Sequence, residues 1–199
     1  MRDYERELLL NAQHQGYDYD NGRKLSDLEL LAKLQHHGAA TRLVDFSRNM
    51  LVALWFACNS ERNKTGLLLG IHWGGISGFE GRPETRNYDA IFGRGDPKQS
   101  DEVMNSPKLW HSPVVSKRIA AQSAQFLYST VINEDAGSLV FVKNAKFLKL
   151  IAITPELKER VLVLLENVFD IRQFTLFPDI DGFCYANSVS FESHSNERW

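Results

Sequence analysis

Cysteine is scarce in this chain: Cys58 and Cys184 are the only two thiols among 199 residues. Both sit between apolar neighbours and read as small buried hydrophobes of a reducing compartment, not as a disulfide framework. Long apolar runs are missing as well, since none approaches the ~18 residues that span a bilayer. The N-terminus, Met1-Arg2-Asp3-Tyr4-Glu5-Arg6-Glu7, is charged and lacks the apolar stretch of a secretion signal. These absences point to a cytoplasmic chain with no membrane partner. Nor does one sign of charge dominate. Lys and Arg number 23 against 25 Asp and Glu, a formal charge of −2, with no basic half and no acidic tail. Bulk attraction to nucleic acid therefore gets no support. Repeats, low-complexity tracts and HxH or HxxxH spacings are absent too, so no metal is expected. What remains is the length of one domain and an apolar content sufficient for a core.

Against this plain background one stretch stands out. Gln35-His36-His37-Gly38-Ala39-Ala40-Thr41-Arg42-Leu43-Val44-Asp45-Phe46-Ser47 crowds two histidines, an arginine and an aspartate before the apolar run Leu51 to Cys58. Polar groups at the entrance to a core segment need partners among themselves, in the backbone or in a ligand.

The rest of the chain supplies the frame. Tyr4, Leu8 and Ala12 predict a helix to about Gln15, broken by Gly16 and the polar run 17–22. Ser26 and Glu29 form a capping box for a second helix, lined by Leu30 and Leu34 and stopped at Gly38. Helical spacing leans His37 toward the apolar face after Leu34 and turns His36 about 100° away. Thr41 to Phe46 is a short extended segment, and Ser47 caps a buried third helix from Arg48 to Asn59. Thr65–Trp73, Ser138–Lys143 and Phe147–Ile153 read as strands. Residues 74–112, rich in glycine, proline and charge, read as a long surface insertion. Residues 118–128 read as a turn leading into a strand. Thr154-Pro155-Glu156 starts a helix with the apolar stripe Leu157, Val161, Leu164, Leu165 and Val168. The segment 174–183 is turn-rich, and 188–199 forms a flexible tail. The sum is a single α+β domain over 1–187, a mixed sheet with packed helices.

The central stretch, with Leu51-Val52-Ala53-Leu54-Trp55-Phe56-Ala57, closely resembles the FRG domain family, whose pattern runs Q-H-x-G-x-P-T-R-L-L-D-W-T and then A-L-x-F-A. Arg118-Ile119-Ala120-Ala121-Gln122 through Phe126 resembles its R-x-x-A-Q-x-G-x-F element. Thr175-Leu176-Phe177-Pro178-Asp179-Ile180-Asp181-Gly182 resembles its L-F-P-D-L-D-G ending. Ala40, Phe46 and Ala124 stand where the family has proline, tryptophan and glycine. The aromatic-Arg-Gly motif that names the family is not found upstream, and the chain begins where the following segment would. Phe92-Gly93-Arg94-Gly95 is a poor substitute in the wrong place. Set against the family pattern, the chain is either a shortened form or one that has lost an N-terminal strand, and in the second case another subunit or chain would complete the sheet.

By analogy the resemblance further implies an ADP-ribosyltransferase-like fold, NAD as substrate, and an effector of a toxin or anti-phage system. Under that reading His37 and Arg42 grip the nucleotide, with His36 beside them. Ser47 touches ribose or phosphate, and Phe46 or Phe126 stacks the nicotinamide. Gln122 positions the ribose or the attacking group, and Asp45 supports the charge growing at the anomeric carbon. The structural alternative for each residue is ordinary. Arg42 pairs with Asp45, His37 is a satisfied core histidine and His36 faces solvent. Gln122 bonds backbone at a strand edge, Ser47 caps a helix, and Asp179 and Asp181 hold a turn. Two further functions compete: a binding module that senses a nucleotide or protein without turnover, and a nuclease working through His36, His37, Asp45, Asp179 and Asp181.

Overall fold

The computed structural model describes residues 1–72, 74, 76–79, 84–92, 106–129 and 146–187. It is a mixed α+β arrangement whose residues group into two compact units. One comprises Met1–Phe46, Ile71–Val115 and Gln125–Phe147, the other Ser47–Gly70, Ser116–Ala124 and Leu148–Trp199. The expected strand Ser138–Lys143, the tail 188–199 and Trp73 lie outside the described residues.

In the first unit, helix α1 (Arg2–His14) turns Glu5, Leu9 and Ala12 inward, a spacing of four then three that keeps them on one face. The polar run after it is more than a break. Strands β1 (Tyr19–Asp20) and β2 (Arg23–Lys24) pair antiparallel. Asn21 and Gly22 between them both take positive φ, 47° and 79°. That is the two-residue hairpin turn that Asn-Gly favours, because its twist matches that of the strands. Helix α2 (Asp27–His36) carries the expected capping box: Ser26 Oγ accepts from the Glu29 amide and Glu29 returns a bond to the Ser26 amide.

Strands β3 (Val44–Ser47), β7 (Ala124–Tyr128), β6 (Lys108–Trp110) and β5 (Ser77–Phe79) form a sheet in that spatial order. β5 and β6 run parallel and β6 and β7 antiparallel, so the sheet is mixed as expected. Every residue of β7 is buried, the pattern of a strand covered on both faces. Phe126 lies opposite Trp110, their rings stacked at 5.5 Å. The stretch 74–112, expected as a surface insertion, supplies β5, β6 and helix α4 (Tyr88–Phe92), and buries Tyr88, Ile91, Phe92 and Trp110. Its glycines and prolines hid short elements that only the sheet and core give a reason to exist.

In the second unit, helix α3 (Met50–Asn59) packs on α6 (Pro155–Phe169). Its core joins Val52, Trp55, Leu165, Ile171 and Leu176. α3 starts two residues later than expected, capped by Asn49 Oδ1 on the Leu51 amide, and it exposes Met50 and Phe56. β4 (Gly66–Ile71) pairs with β8 (Leu148–Ile153). Thr154 caps α6 as expected. The inward face, however, runs through Lys158, Val161, Leu162 and Leu165, while Leu157, Leu164 and Val168 are exposed. The buried Lys158 ammonium reaches past the end of α3 to the carbonyls of Ser60 and Glu61, at 2.9 and 3.2 Å. A lysine stem thus occupies a core position while its head satisfies orphaned carbonyls. Short helices α5 (Lys117–Ala121), α7 (Gln173–Leu176) and α8 (Ile180–Ala186) complete the unit. α7 and α8 replace the expected turn-rich segment. Cys58 is buried as expected, but Cys184, on α8, is exposed. Among the described residues no helix is long and apolar enough to cross a membrane.

Candidate functional site

The sequence singled out eight candidate site residues. In the first unit Arg42 does not pair with Asp45, which is exposed on β3. Its partner is Glu5, thirty-seven positions earlier. The Glu5 carboxylate accepts from the Arg42 amide at 2.7 Å, from Arg42 Nε at 2.6 Å and from the Tyr88 hydroxyl at 2.5 Å. Arg42 also donates to Tyr88 Oη at 2.6 Å and to the Ser129 carbonyl at 3.3 Å, with its guanidinium 4.0 Å from the Phe92 ring centre. The side chains of Arg42 and Glu5 are 2% and 0% exposed. Burial, then the bond to Glu5, push the Tyr88 phenol well above its ordinary range, so it stays a neutral donor. This is a closed structural knot, with no open face for a phosphate. The expected face of Tyr4, Leu8 and Ala12 gave no sign of Glu5; the buried face of α1 is Glu5, Leu9 and Ala12, and Tyr4 is exposed.

The two histidines exchange the places expected for them. His36 closes α2 with Nδ1 2.8 Å from the Ala32 carbonyl and its ring edge-on to Phe126. His37 has left helical geometry as the C-cap and is exposed. The helix ends one residue too early for the projection that turned His37 inward. Phe126 is fully buried between Trp110 and His36, so it cannot stack on a ligand. Phe46 is half-buried at the end of this unit.

Ser47 and Gln122 belong to the second unit and do meet. Ser47 Oγ donates to the Gln122 carbonyl at 2.7 Å and accepts from the Asn49 amide, so it ties a loop and leaves the capping of α3 to Asn49. Gln122 is the C-cap of α5, not a late-strand residue, and its amide donates to the Leu176 carbonyl at 3.0 Å.

One place in the second unit gathers all three motif segments. A hollow of about 400 Å³ is lined by Trp55 and Phe56 of α3, Arg118 of α5, and Phe177, Asp181 and Tyr185 of the closing segment, among others. The rings of Phe56 and Phe177 lie 6.0 Å apart, and Trp55 touches both. Arg118 sits over the Phe177 ring at 5.2 Å. Its Nε bonds Asp179, its Nη2 bonds the same carboxylate at 2.8 Å, and Asp181 stands 3.6 Å away. Asp179 does more than hold a turn: it caps α8 by accepting from the Gly182 amide. A Cβ on Gly182 would lie 2.1 Å from the Phe177 carbonyl, so only glycine lets α8 close down here. Sequence spacing could not reveal this hollow, because Arg118 and Asp179 are sixty-one residues apart. Among the described residues no group of three His, Cys, Asp or Glu side chains is arranged to hold a metal ion.

These features define a mixed α+β protein with an aromatic hollow braced by an arginine–aspartate pair. Residues 1–66 match the family model of the FRG domain, so the resemblance read from residues 34–57 is shown. The matched span includes Trp55 and Phe56; the segments holding Arg118 and Asp181 lie beyond it. No curated protein and no solved structure gives a match.

Proposed function

We propose that this FRG-domain protein is a binding module that senses a small planar ligand of the nucleoside class, in the cytoplasm, without turning it over. One observation supports this: the hollow in which Trp55, Phe56, Arg118, Phe177, Asp181 and Tyr185 meet. Its volume suits a small molecule, and its apolar walls with a few convergent polar groups are the usual composition of a ligand site. Phe56 and Tyr185 are exposed enough to meet a ring, at 39% and 55%. A sensor of this kind fits the toxin or anti-phage setting that the resemblance implies.

ADP-ribosyl transfer from NAD rests on the family likeness. Of the residues it needs, Arg42 and Phe126 are enclosed in the first unit, which speaks for the binding module. Thermal melting of the full chain with adenosine, nicotinamide riboside and NAD separates the two. A ligand at about 100 times its Kd stabilises the fold by ~2.7 kcal/mol, a rise of about 5–10 °C. The rise should vanish in Phe56→Ala and Tyr185→Ala. Absence of any rise would sink the binding reading. NAD consumption lost in Gln122→Ala would replace it with the transferase.

A further inference from the structure

We infer that helix α6 (Pro155–Phe169) pairs antiparallel with the α6 of a second copy of this chain, through the face it turns away from the core. Lys158, Leu162 and Leu165 serve the core of the second unit, and Val161 is half-buried at its margin. On the outward side Leu157, Val163, Leu164 and Val168 are 43, 57, 51 and 66% exposed. A helix with apolar residues on opposite faces is one that packs on both. Leu157, Leu164 and Val168 follow one another at seven and four positions, with Arg160 and Asn167 beside them. An apolar stripe repeating every three or four residues is the seam of two packed helices.

Charge sets the direction. The last turn of α6 holds no basic residue, and Arg172 beyond it bonds Asp170. The negative pole of the helix therefore has no cation in its own final turn. With Leu157 level with the partner's Val168, Val161 falls level with the partner's Leu164. Arg160 then stands level with the partner's Leu165. Helical side chains lean toward the N-terminus of their own helix, which carries the Arg160 guanidinium toward the partner's final turn. Helical spacing puts Arg160 and Asn167 on one flank of the stripe, and the two-fold axis of an antiparallel pair keeps equal flanks together. Each Arg160 thus meets Asn167 of the partner subunit and the carbonyls that end its helix. Glu156, the acid on that flank, is held at its own helix start by its own amide and the Thr154 hydroxyl. A parallel pair would instead set two negative helix ends side by side.

Size sets the strength. The four exposed apolar side chains offer roughly 350 Å² per copy, so with the stems of Arg160 and Asn167 the pair buries roughly 1,000 Å² in all. That is the low end of specific interfaces and predicts a reversible dimer with a Kd of about 10–200 µM.

The test is analytical ultracentrifugation of the full chain from about 5 to 500 µM. The average mass should climb from 22.7 kDa toward twice that value. Leu164→Asp and Val168→Asp alter exposed positions, so each should leave far-UV circular dichroism unchanged and raise the Kd at least about tenfold. Arg160→Ala should raise it about two- to fivefold. A monomer at every concentration overturns the pairing. A dimer indifferent to both Leu164→Asp and Val168→Asp overturns the choice of α6. A dimer unchanged or tightened by Arg160→Ala overturns the antiparallel direction. Growth beyond two copies overturns the closed two-fold arrangement.

Discussion

Replacing Glu5 by glutamine should expose what holds the first unit together. The change keeps the size of the side chain and removes its charge, so no cavity forms. Three donors converge on this carboxylate: the Arg42 amide, Arg42 Nε and the Tyr88 hydroxyl. Glutamine can accept from part of that set, and its own NH₂ then faces a donor. The Arg42 guanidinium, with its side chain 2% exposed, loses the charge of Glu5. Breaking a buried pair from one side costs about 3–5 kcal/mol. With a urea m-value of about 2 kcal/mol per molar, the midpoint should fall by roughly 1.5–2.5 M. The double variant Glu5→Leu/Arg42→Met removes both charges and should recover at least half of that loss. About 1 kcal/mol remains missing in it, because the Arg42 amide loses its acceptor. Urea unfolding followed by circular dichroism on both variants gives the comparison. Hydrogen exchange over α1 and residues 41–46 would localise the loss. A Glu5→Gln cost under about 1 kcal/mol, or a double variant no better than the single, would refute the reasoning.

Three further outcomes are expected. Among the described residues the buried Tyr128 hydroxyl has no hydrogen-bond partner. Tyr128→Phe should therefore be neutral or stabilise by up to about 1 kcal/mol in thermal melts. Burial, then the nearby Glu84, push the Tyr128 phenol from 10.0 up to about 12. A raised folded-state value means stability intact below pH 10 and lost as the pH rises through about 12, and Tyr128→Phe should blunt that loss. Gly182→Ala puts a methyl against the Phe177 carbonyl and should cost about 1–3 kcal/mol while displacing the aromatic wall, read as lost adenosine binding. Alkylation of the native chain should modify Cys184 alone, since Cys58 is buried and burial raises its thiol, with both reacting in denaturant.

The sequence alone determined what depends on neighbours in the chain. The capping box at Ser26 and Glu29, the Thr154-Pro155 helix start, the mixed α+β class and the FRG resemblance were legible because each rests on spacings of a few residues. Periodicity went wrong where a helix ended or where its inward face carried a charge. His36 and His37 exchanged roles for the first reason, and Lys158 was missed for the second. The candidate site needed the tertiary structure. Arg42 chose Glu5 over the nearer Asp45, and Arg118 met Asp179 across sixty-one residues. A buried ion takes whichever counter-charge folding brings alongside it with its remaining donors satisfied, and sequence distance carries no information about that choice.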